Sequence, residues 1–289
     1  RQMTTPAHKN VHALALDGHF DDCQARLKDM FNDFEFRDDV RLAGVNSINW
    51  ARILAQVVYY FSSAVSLGAP DRSVSFAVPT GNFGDIFAGY IAKRMGLPIE
   101  DLVIATNQND ILNRCLSSGD YRMHSVLRSY SPSMDIQVSS NFERALFDAY
   151  DRDGAAVAQL MEALKNNGGF SLSQGVLDKI REHFSSGTVS EEDTLACIRE
   201  TRRKTGEILC PHSAIGVHVA ERLRKKDIPM ITLATAHPAK FPDSVEKACN
   251  LRPALPERMS DLFEREERLS RVSNDLQEIK SLVKNRIAS

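Results

Sequence analysis

The sequence predicts an α/β protein built on an open, mostly parallel sheet with flanking helices and a helical insertion. Three observations carry that expectation. Short apolar runs rich in β-branched residues alternate with longer segments of helical periodicity. Glycine-bearing turns follow the strand-like runs, and the pattern from about 141 to 203 is helical. Alternation of this kind suits a parallel sheet with helical crossovers. Ligands of such sheets bind outside the carboxyl ends of the strands.

Taken in order, Val11–Leu16 reads as a short strand, punctuated by Asp17-Gly18 and followed by helical spacing over Phe20–Phe31. Ile48–Val65 reads as a long helix. Its apolar core, Ala51–Ala69, is interrupted by Arg52, Gln56 and three serines, which argues for a buried helix over a membrane span. Ser73–Val78 is a strand that runs into Pro-Thr-Gly-Asn-Phe-Gly-Asp, after which Ile86–Met95 has a helical pattern stopped by Gly96-Leu97-Pro98. Leu102–Ala105 and Met230–Ala234 are further strands. The stretch from about Asp110 to Ser140 is polar and irregular, either a long functional loop or a set of short helices. Helical patterns then cover Phe142–Tyr150, Ala155–Lys165, Ser173–Phe184 and Glu191–Thr205, with breaks at Gly168-Gly169 and Ser185-Ser186-Gly187. The tail Asp275–Ile287 is an amphipathic helix, capped by Asn274 or Asp275, with Leu276, Ile279, Leu282 and Val283 on one face.

Composition narrows the function classes. Lys+Arg number 36 against Asp+Glu 38, a formal net charge of −2, so no basic excess points to nucleic acid or an anionic membrane. A small charged metabolite or a protein partner remains open. The five cysteines are scattered, odd in number and without a Cys-x-x-Cys pair, which argues against a disulfide framework or a zinc site and for a reducing cytosol. No charged head followed by an apolar run marks a secretory signal, and the chain does not begin with methionine, so it can start inside a longer gene product.

Pro79-Thr80-Gly81-Asn82-Phe83-Gly84-Asp85 is the most informative segment. Lying between a strand and a helix, it offers two glycines that allow positive φ and close backbone approach. The helix that follows presents unpaired N–H groups and a positive dipole end. Together these features make a cup for one phosphate, or else an ordinary strand-to-helix turn. No Gly-Lys-Ser/Thr follows, and the spacing is not G-x-G-x-x-G, which disfavours ATP and NAD.

A series of motifs then carries a resemblance: Asn46-Ser-Ile-Asn-Trp-Ala-Arg52, Val78-Pro-Thr-Gly-Asn-Phe-Gly-Asp85, Ala105-Thr-Asn-Gln-Asn-Asp110 and Leu233-Ala-Thr-Ala-His-Pro-Ala-Lys-Phe241, in that order. The series resembles that of the threonine synthases, in the branch common to bacteria and fungi. The resemblance runs from His12 to the C-terminal helix. It implies the tryptophan synthase β-like fold of pyridoxal-phosphate enzymes (fold type II). It also implies a carbon–oxygen lyase acting on phosphates, which converts O-phospho-L-homoserine and water into L-threonine and phosphate, the last step of threonine biosynthesis. In such enzymes the cofactor is the electron sink and the protein supplies orientation and charge.

Carried over by position, Gly81, Asn82, Phe83 and Gly84 match the loop that cradles the cofactor phosphate, with Thr80 and Asp85 at its borders. Thr235 matches the hydroxyl residue near the pyridine nitrogen. Asn49 and Arg52 share a helical face, and with Asn107 and Lys240 they are candidates for binding substrate. Asn109 and Asp110 are weaker candidates, and His212 in a Pro-His-Ser-Ala turn is read as structural. The resemblance divides the chain into 1–110, an α/β cofactor-binding region with the cup; 111–205, an irregular segment and helical insertion; and 206–289, the last strand or strands and C-terminal helices of the large domain. No Phe-Lys-Asp segment occurs here, and the family's Schiff-base lysine lies in such a motif upstream of all these segments. The expectation is therefore that no catalytic residue of that kind lies in this chain, that an N-terminal domain is absent from it, and that the chain alone is inactive. Other readings are a threonine synthase-like phospho-lyase or a non-catalytic phosphate-ligand module. A monomer or a homodimer in the cytoplasm, with a small-molecule substrate and no nucleic-acid or membrane partner, completes the expectation.

Overall fold

The computed structural model describes residues 1–18 and 20–288. In chain order the elements are β1 (Ala13–Leu16), α1 (Phe20–Asn32), α2 (Phe34–Asp39), α3 (Trp50–Ser66), β2 (Val74–Pro79), α4 (Gly84–Arg94), β3 (Ile99–Thr106), α5 (Ile111–Ser118), β4 (Asp120–Arg122), α6 (Phe142–Ala149), α7 (Gly154–Asn167), β5 (Gly169–Ser171), α8 (Gln174–Arg181), β6 (Phe184–Thr188), α9 (Glu191–Thr205), α10 (Pro211–Leu223), β7 (Met230–Thr232), α11 (Pro242–Cys249), β8 (Leu269–Val272) and α12 (Leu276–Ala288). They form two compact units, one of residues 1–45 with 254–289 and one of 46–253. The boundaries fall at Val45/Asn46 and Pro253/Ala254, inside the first and third of the three segments anticipated from sequence.

In the smaller unit β1 pairs in parallel with β8, a strand that the sequence pattern did not reveal. Met30, Phe36, Val272 and Ile279 form its buried cluster, with Leu276, Leu282 and Val283 packed against it, so the amphipathic stripe of α12 faces inward as expected. Asp275 is the residue that caps α12: its Oδ1 accepts from the Glu278 N–H at 2.8 Å.

The larger unit is organised by a four-stranded parallel sheet in the order β6-β3-β2-β7. Its central strands are buried on both faces: Val74, Phe76 and Val78 of β2 and Leu102 and Ile104 of β3 point into one core, and Ala77, Val103 and Ala105 into another. That two-sided burial is why these strands read as continuous apolar runs. The first core is covered by α3 and α4, through Ile53, Val57, Tyr60, Ile86 and Tyr90. The second is covered by α10, through Ile215, Val219 and Ala220. Truncating a side chain such as Ile104 to alanine in such a core costs about 2–5 kcal/mol.

Two sequence expectations are corrected here. Ser185-Ser186-Gly187 is not a helix break; it lies in the edge strand β6, paired with β3 from Leu102↔Phe184 to Thr106↔Thr188. An edge strand can be polar when its hydroxyls find partners, and Ser185 Oγ donates to Asp101 Oδ2 at 2.6 Å while Ser186 Oγ donates to Asn113 Oδ1 at 2.9 Å. The helical run from 141 to 203 is accordingly interrupted by strands. The irregular region after Asp110 contains, in addition to loop, α5 and β4, the latter paired antiparallel with the more distant β5, Tyr121 facing Phe170.

The topology puts the carboxyl ends of β2, β3 and β7 side by side. The chain leaves β2 at Pro79, β3 at Thr106 and β7 at Thr232, and each exit carries one of the sequence motifs.

Candidate functional site

A cavity of about 780 Å³ opens over the ends of β2 and β7. Its floor is Pro79 to Asp85. One wall is a face of α3 (Arg52, Gln56, Tyr59, Ser63, Ser66), another is Ser133 and Met134, and a third is His212, Leu233 to Ala236, Lys240 and Phe241. Among the candidates read from the sequence, Gly81, Asn82, Phe83, Gly84, Thr235, Arg52 and Lys240 are brought together here. Asn49 and Asn107 are not among the lining residues. Asn49 caps α3, its Oδ1 accepting from the Ala51 N–H at 2.8 Å.

The cup has an unexpected geometry. Neither Gly81 nor Gly84 has a left-handed φ; the left-handed residue is Phe83, at φ 64°, in the N-cap position of α4. A non-glycine residue there costs on the order of 1–2 kcal/mol. Packing over-determines it: Phe83 is fully buried, its ring 5.2 Å from Phe142 and 5.3 Å from Phe184. The glycines serve close approach instead. A Cβ on Gly81 would stand 2.7 Å from the Ser133 carbonyl oxygen, and one on Gly84 would stand 3.3 Å from Asn141 Nδ2. No side chain caps α4, so the first-turn N–H groups face the cavity floor unclaimed by a side chain, as an anion requires.

A second layer holds the cup from behind. Ser139 Oγ donates to the Gly81 carbonyl at 2.7 Å, and Asn141 Nδ2 donates to the carbonyls of Asn82 and Ser47, each at 2.9 Å. Thr80 turns inward, its hydroxyl donating to Val78 O at 2.6 Å.

Asp85 sits in the first turn of α4. Its Oδ1 accepts from Tyr59 at 2.6 Å and from Tyr60 at 3.0 Å, tying α3 to the end of the cup. Burial pushes the Asp85 carboxyl above its usual range, opposed by those two hydrogen bonds. Burial and the neighbouring carboxylate push both phenols up as well. Arg52 and Lys240 form no ion pair among the described residues, which leaves two cations available to anionic groups in the cavity.

On the third wall, the Thr235 backbone N–H donates to Ser213 Oγ at 3.1 Å, while its side chain is exposed towards the cavity. His212 is buried against Phe241, ring centroids 4.6 Å apart. Its Nε2 accepts from the Ser133 N–H at 3.3 Å, which assigns the proton to Nδ1. Burial lowers its pKa to about 4, so the ring is neutral near pH 7.

Sequence reasoning missed Gln56, Tyr59, Ser63 and Ser66. The signal was present: with Arg52 they recur at helical spacing on one face of an otherwise apolar helix. Gln56 and the serines entered only as interruptions that argued against a membrane span, and Tyr59 did not enter at all. Among the described residues no helix is long and apolar enough to cross a membrane.

Comparisons with known proteins show what the chain is similar to. A family model described as "Threonine synthase, C-terminal" matches residues 213–283. The chain is 53% identical over 285 residues to a threonine synthase of Pseudomonas aeruginosa, covering 98% of this chain and 61% of that protein. It superposes on a crystal structure of pyridoxal-phosphate-bound threonine synthase from Brucella melitensis with a TM-score of 0.95 at 57% identity, covering 100% of this chain and 62% of that one. The yeast threonine synthase structure gives a TM-score of 0.89 at 41% identity, with 99% and 62% covered. The chain thus spans about three fifths of the length of the relatives it matches.

Proposed function

Because the chain belongs to the threonine synthase family, we propose that it supplies the phosphate cup and most of the substrate cavity of a pyridoxal-phosphate-dependent threonine synthase. The reaction would convert O-phospho-L-homoserine and water into L-threonine and phosphate. The observation that carries this reading is the uncapped N-terminus of α4 over Gly81–Gly84, opening into the same cavity as Arg52, Lys240 and Thr235. These residues fit the cofactor. The backbone N–H groups of the cup are open to a phosphate, and the Gly81–Ser133 approach leaves no room for a side chain that would fill the cradle.

When bound, pyridoxal phosphate supplies the electron sink. The chain's own residues do the rest. Gly81–Gly84 hold the cofactor phosphate. Thr235 offers a neutral hydroxyl to the ring nitrogen, which leaves that nitrogen less basic than a carboxylate partner would. Arg52 and Lys240 bind the anionic groups of the substrate. Asp85, fixed by Tyr59 and Tyr60, keeps the Arg52 face of α3 at its distance from the cup. The lysine that joins the cofactor is proposed to lie outside residues 1–289, because no Phe-Lys-Asp segment occurs in them. The setting proposed is the cytosol, suited to five unbridged thiols.

The deciding experiment follows phosphate release from O-phospho-L-homoserine with added pyridoxal phosphate, using the full-length gene product beside residues 1–289. Threonine and phosphate from the full-length product alone are expected. Production of 2-oxobutyrate would transfer the reading to a phospho-lyase, and silence of the full-length product would leave a phosphate-ligand module. Borohydride trapping followed by peptide mapping tests the lysine: a pyridoxyl group on Lys240 overturns its assignment outside the chain.

A further inference from the structure

Asn107 follows β3 directly, where a ligand residue was expected, yet it is fully buried and outside the cavity lining. It belongs to a closed polar cluster. Its amide nitrogen lies 2.8 Å from Asp135 Oδ1 and 2.9 Å from the hydroxyls of Ser129 and Ser131. Its amide oxygen accepts from the Asn109 N–H at 2.9 Å. Asp135 also accepts from Asn109 Nδ2 at 3.0 Å, from the Ser129 N–H at 2.9 Å and from Ser129 Oγ at 2.5 Å. Asn107, Asn109 and Ser131 are at most 3% exposed.

A half-buried carboxylate whose donors all come from one strand exit and one turn fixes that turn against that exit. The turn it fixes, residues 129–135, forms a wall of the cavity. Within it the Ser133 carbonyl faces Gly81, close enough that a Cβ there would stand 2.7 Å away. The Ser133 N–H holds His212. One residue, through the two peptide groups that flank it, therefore sets both the width of the cup and the tautomer of the buried histidine.

We propose that Asn107 and Asp135 are positioning residues for the phosphate cup, holding the Ser133 backbone with its carbonyl against Gly81 and its N–H on His212. This rests on the reading of Gly81–Gly84 as a phosphate cup, but its local part can be tested without any ligand.

The test uses Asn107→Asp, Asp135→Asn and the two combined. Asn107→Asp sets two carboxylates within hydrogen-bond distance, which like charges resist. Combining it with Asp135→Asn restores one carboxylate and one amide, and every donor can again find an acceptor. Three quantities are read on each protein: hydrogen exchange of the Ser133 amide, the nitrogen shifts of His212, and the Kd for pyridoxal phosphate and for inorganic phosphate. Each single variant should lose Ser133 protection, blur the Nδ1–H signature of His212, and bind pyridoxal phosphate about tenfold more weakly. The combined variant should recover all three.

Melting temperature serves as the control. A variant that melts earlier while Ser133 exchange and Kd stay at wild-type values refutes the positioning role, and so does a combined variant no better than the singles. If Asn107→Asp does not fold, Asp135→Asn against the combined variant decides in the same way. If the wild-type chain binds neither pyridoxal phosphate nor inorganic phosphate, the cup reading falls, while Ser133 exchange and the His212 signal still decide whether this cluster holds the Ser133 backbone.

Discussion

Two walls of the cavity face the same space and are made differently. The floor at Gly81–Asp85 presents mainly backbone: an uncapped helix start, a left-handed Phe83 and two close-packed glycines. The wall on α3 presents side chains: Arg52, Gln56, Tyr59, Ser63 and Ser66, spaced along one helical face. A backbone site is damaged by what is added to it, because any new atom occupies the ligand's place or pushes its supports. A side-chain site is damaged by what is removed. Asp85 stands where the two meet, its backbone in the cup's helix and its carboxylate held by the tyrosines of α3.

The sharpest way to break this contrast is to add one methyl group to the floor. Gly81→Ala sets a Cβ 2.7 Å from the Ser133 carbonyl, which is backbone and cannot swing aside. Affinity for pyridoxal phosphate should fall by about 10²-fold, with a stability loss of about 1–3 kcal/mol from overpacking. Gly175→Ala, where an added Cβ meets nothing within 4 Å, is the control. Equal behaviour of the two variants in an absorbance titration would erase the distinction.

Next in size is a deletion from the wall. In the full-length product Arg52→Gln should raise the KM for O-phospho-L-homoserine about tenfold or more, the loss of a charge-assisted contact, and leave the affinity for pyridoxal phosphate unchanged. A parallel loss of both would mean that wall and floor do not divide the labour.

Asp85→Asn sharpens the comparison at the junction. Burial raises the Asp85 pKa above the ordinary carboxylate value of 3.8. The unfolded chain therefore gives up this proton at lower pH than the folded protein does, and the group costs stability progressively as pH rises from the unfolded value through the folded one. The variant keeps an acceptor for both tyrosines and has no such dependence. Its melting temperature relative to wild type should climb from about pH 3 upwards and level off above the folded pKa. A flat difference across that range would show that the folded and unfolded carboxyls titrate alike.

The smallest effect belongs to Thr235→Val. The backbone bond to Ser213 survives and only a neutral hydroxyl is lost, so cofactor affinity should change by no more than about two- to fivefold. The absorption maximum of the bound cofactor should move, because the proposed partner of the ring nitrogen is gone. An unmoved spectrum would place the hydroxyl away from the ring.

Much of the fold was legible. β2 and β3 announced themselves through β-branched runs, because strands buried on both faces admit little else, and the half-buried β7 through a shorter apolar run. β6 and β8 did not. Phe184-Ser-Ser-Gly-Thr and Leu269-Ser-Arg-Val carry no apolar alternation, and what makes each a strand is a partner distant in sequence. The site shows the same division. Its floor could be read from one contiguous heptapeptide. The α3 wall could have been read from helical spacing. The Ser133 wall could not, since its place depends on contacts to Gly81 and to His212 from far along the chain.

By itself, then, the sequence determined the local alternatives: where strands and helices begin, which turn can accept a phosphate, and which family's motifs the chain carries. Local propensity and periodicity are properties of neighbouring residues, and they survive without knowledge of the rest. Tertiary structure decided which residues share a space. It moved Asn107 from the cavity into a buried cluster, gave the left-handed conformation to Phe83 in place of a glycine, and turned a row of polar interruptions on α3 into a wall. Each of these outcomes rests on contacts between segments far apart in the chain, and packing density, not sequence spacing, selects among them.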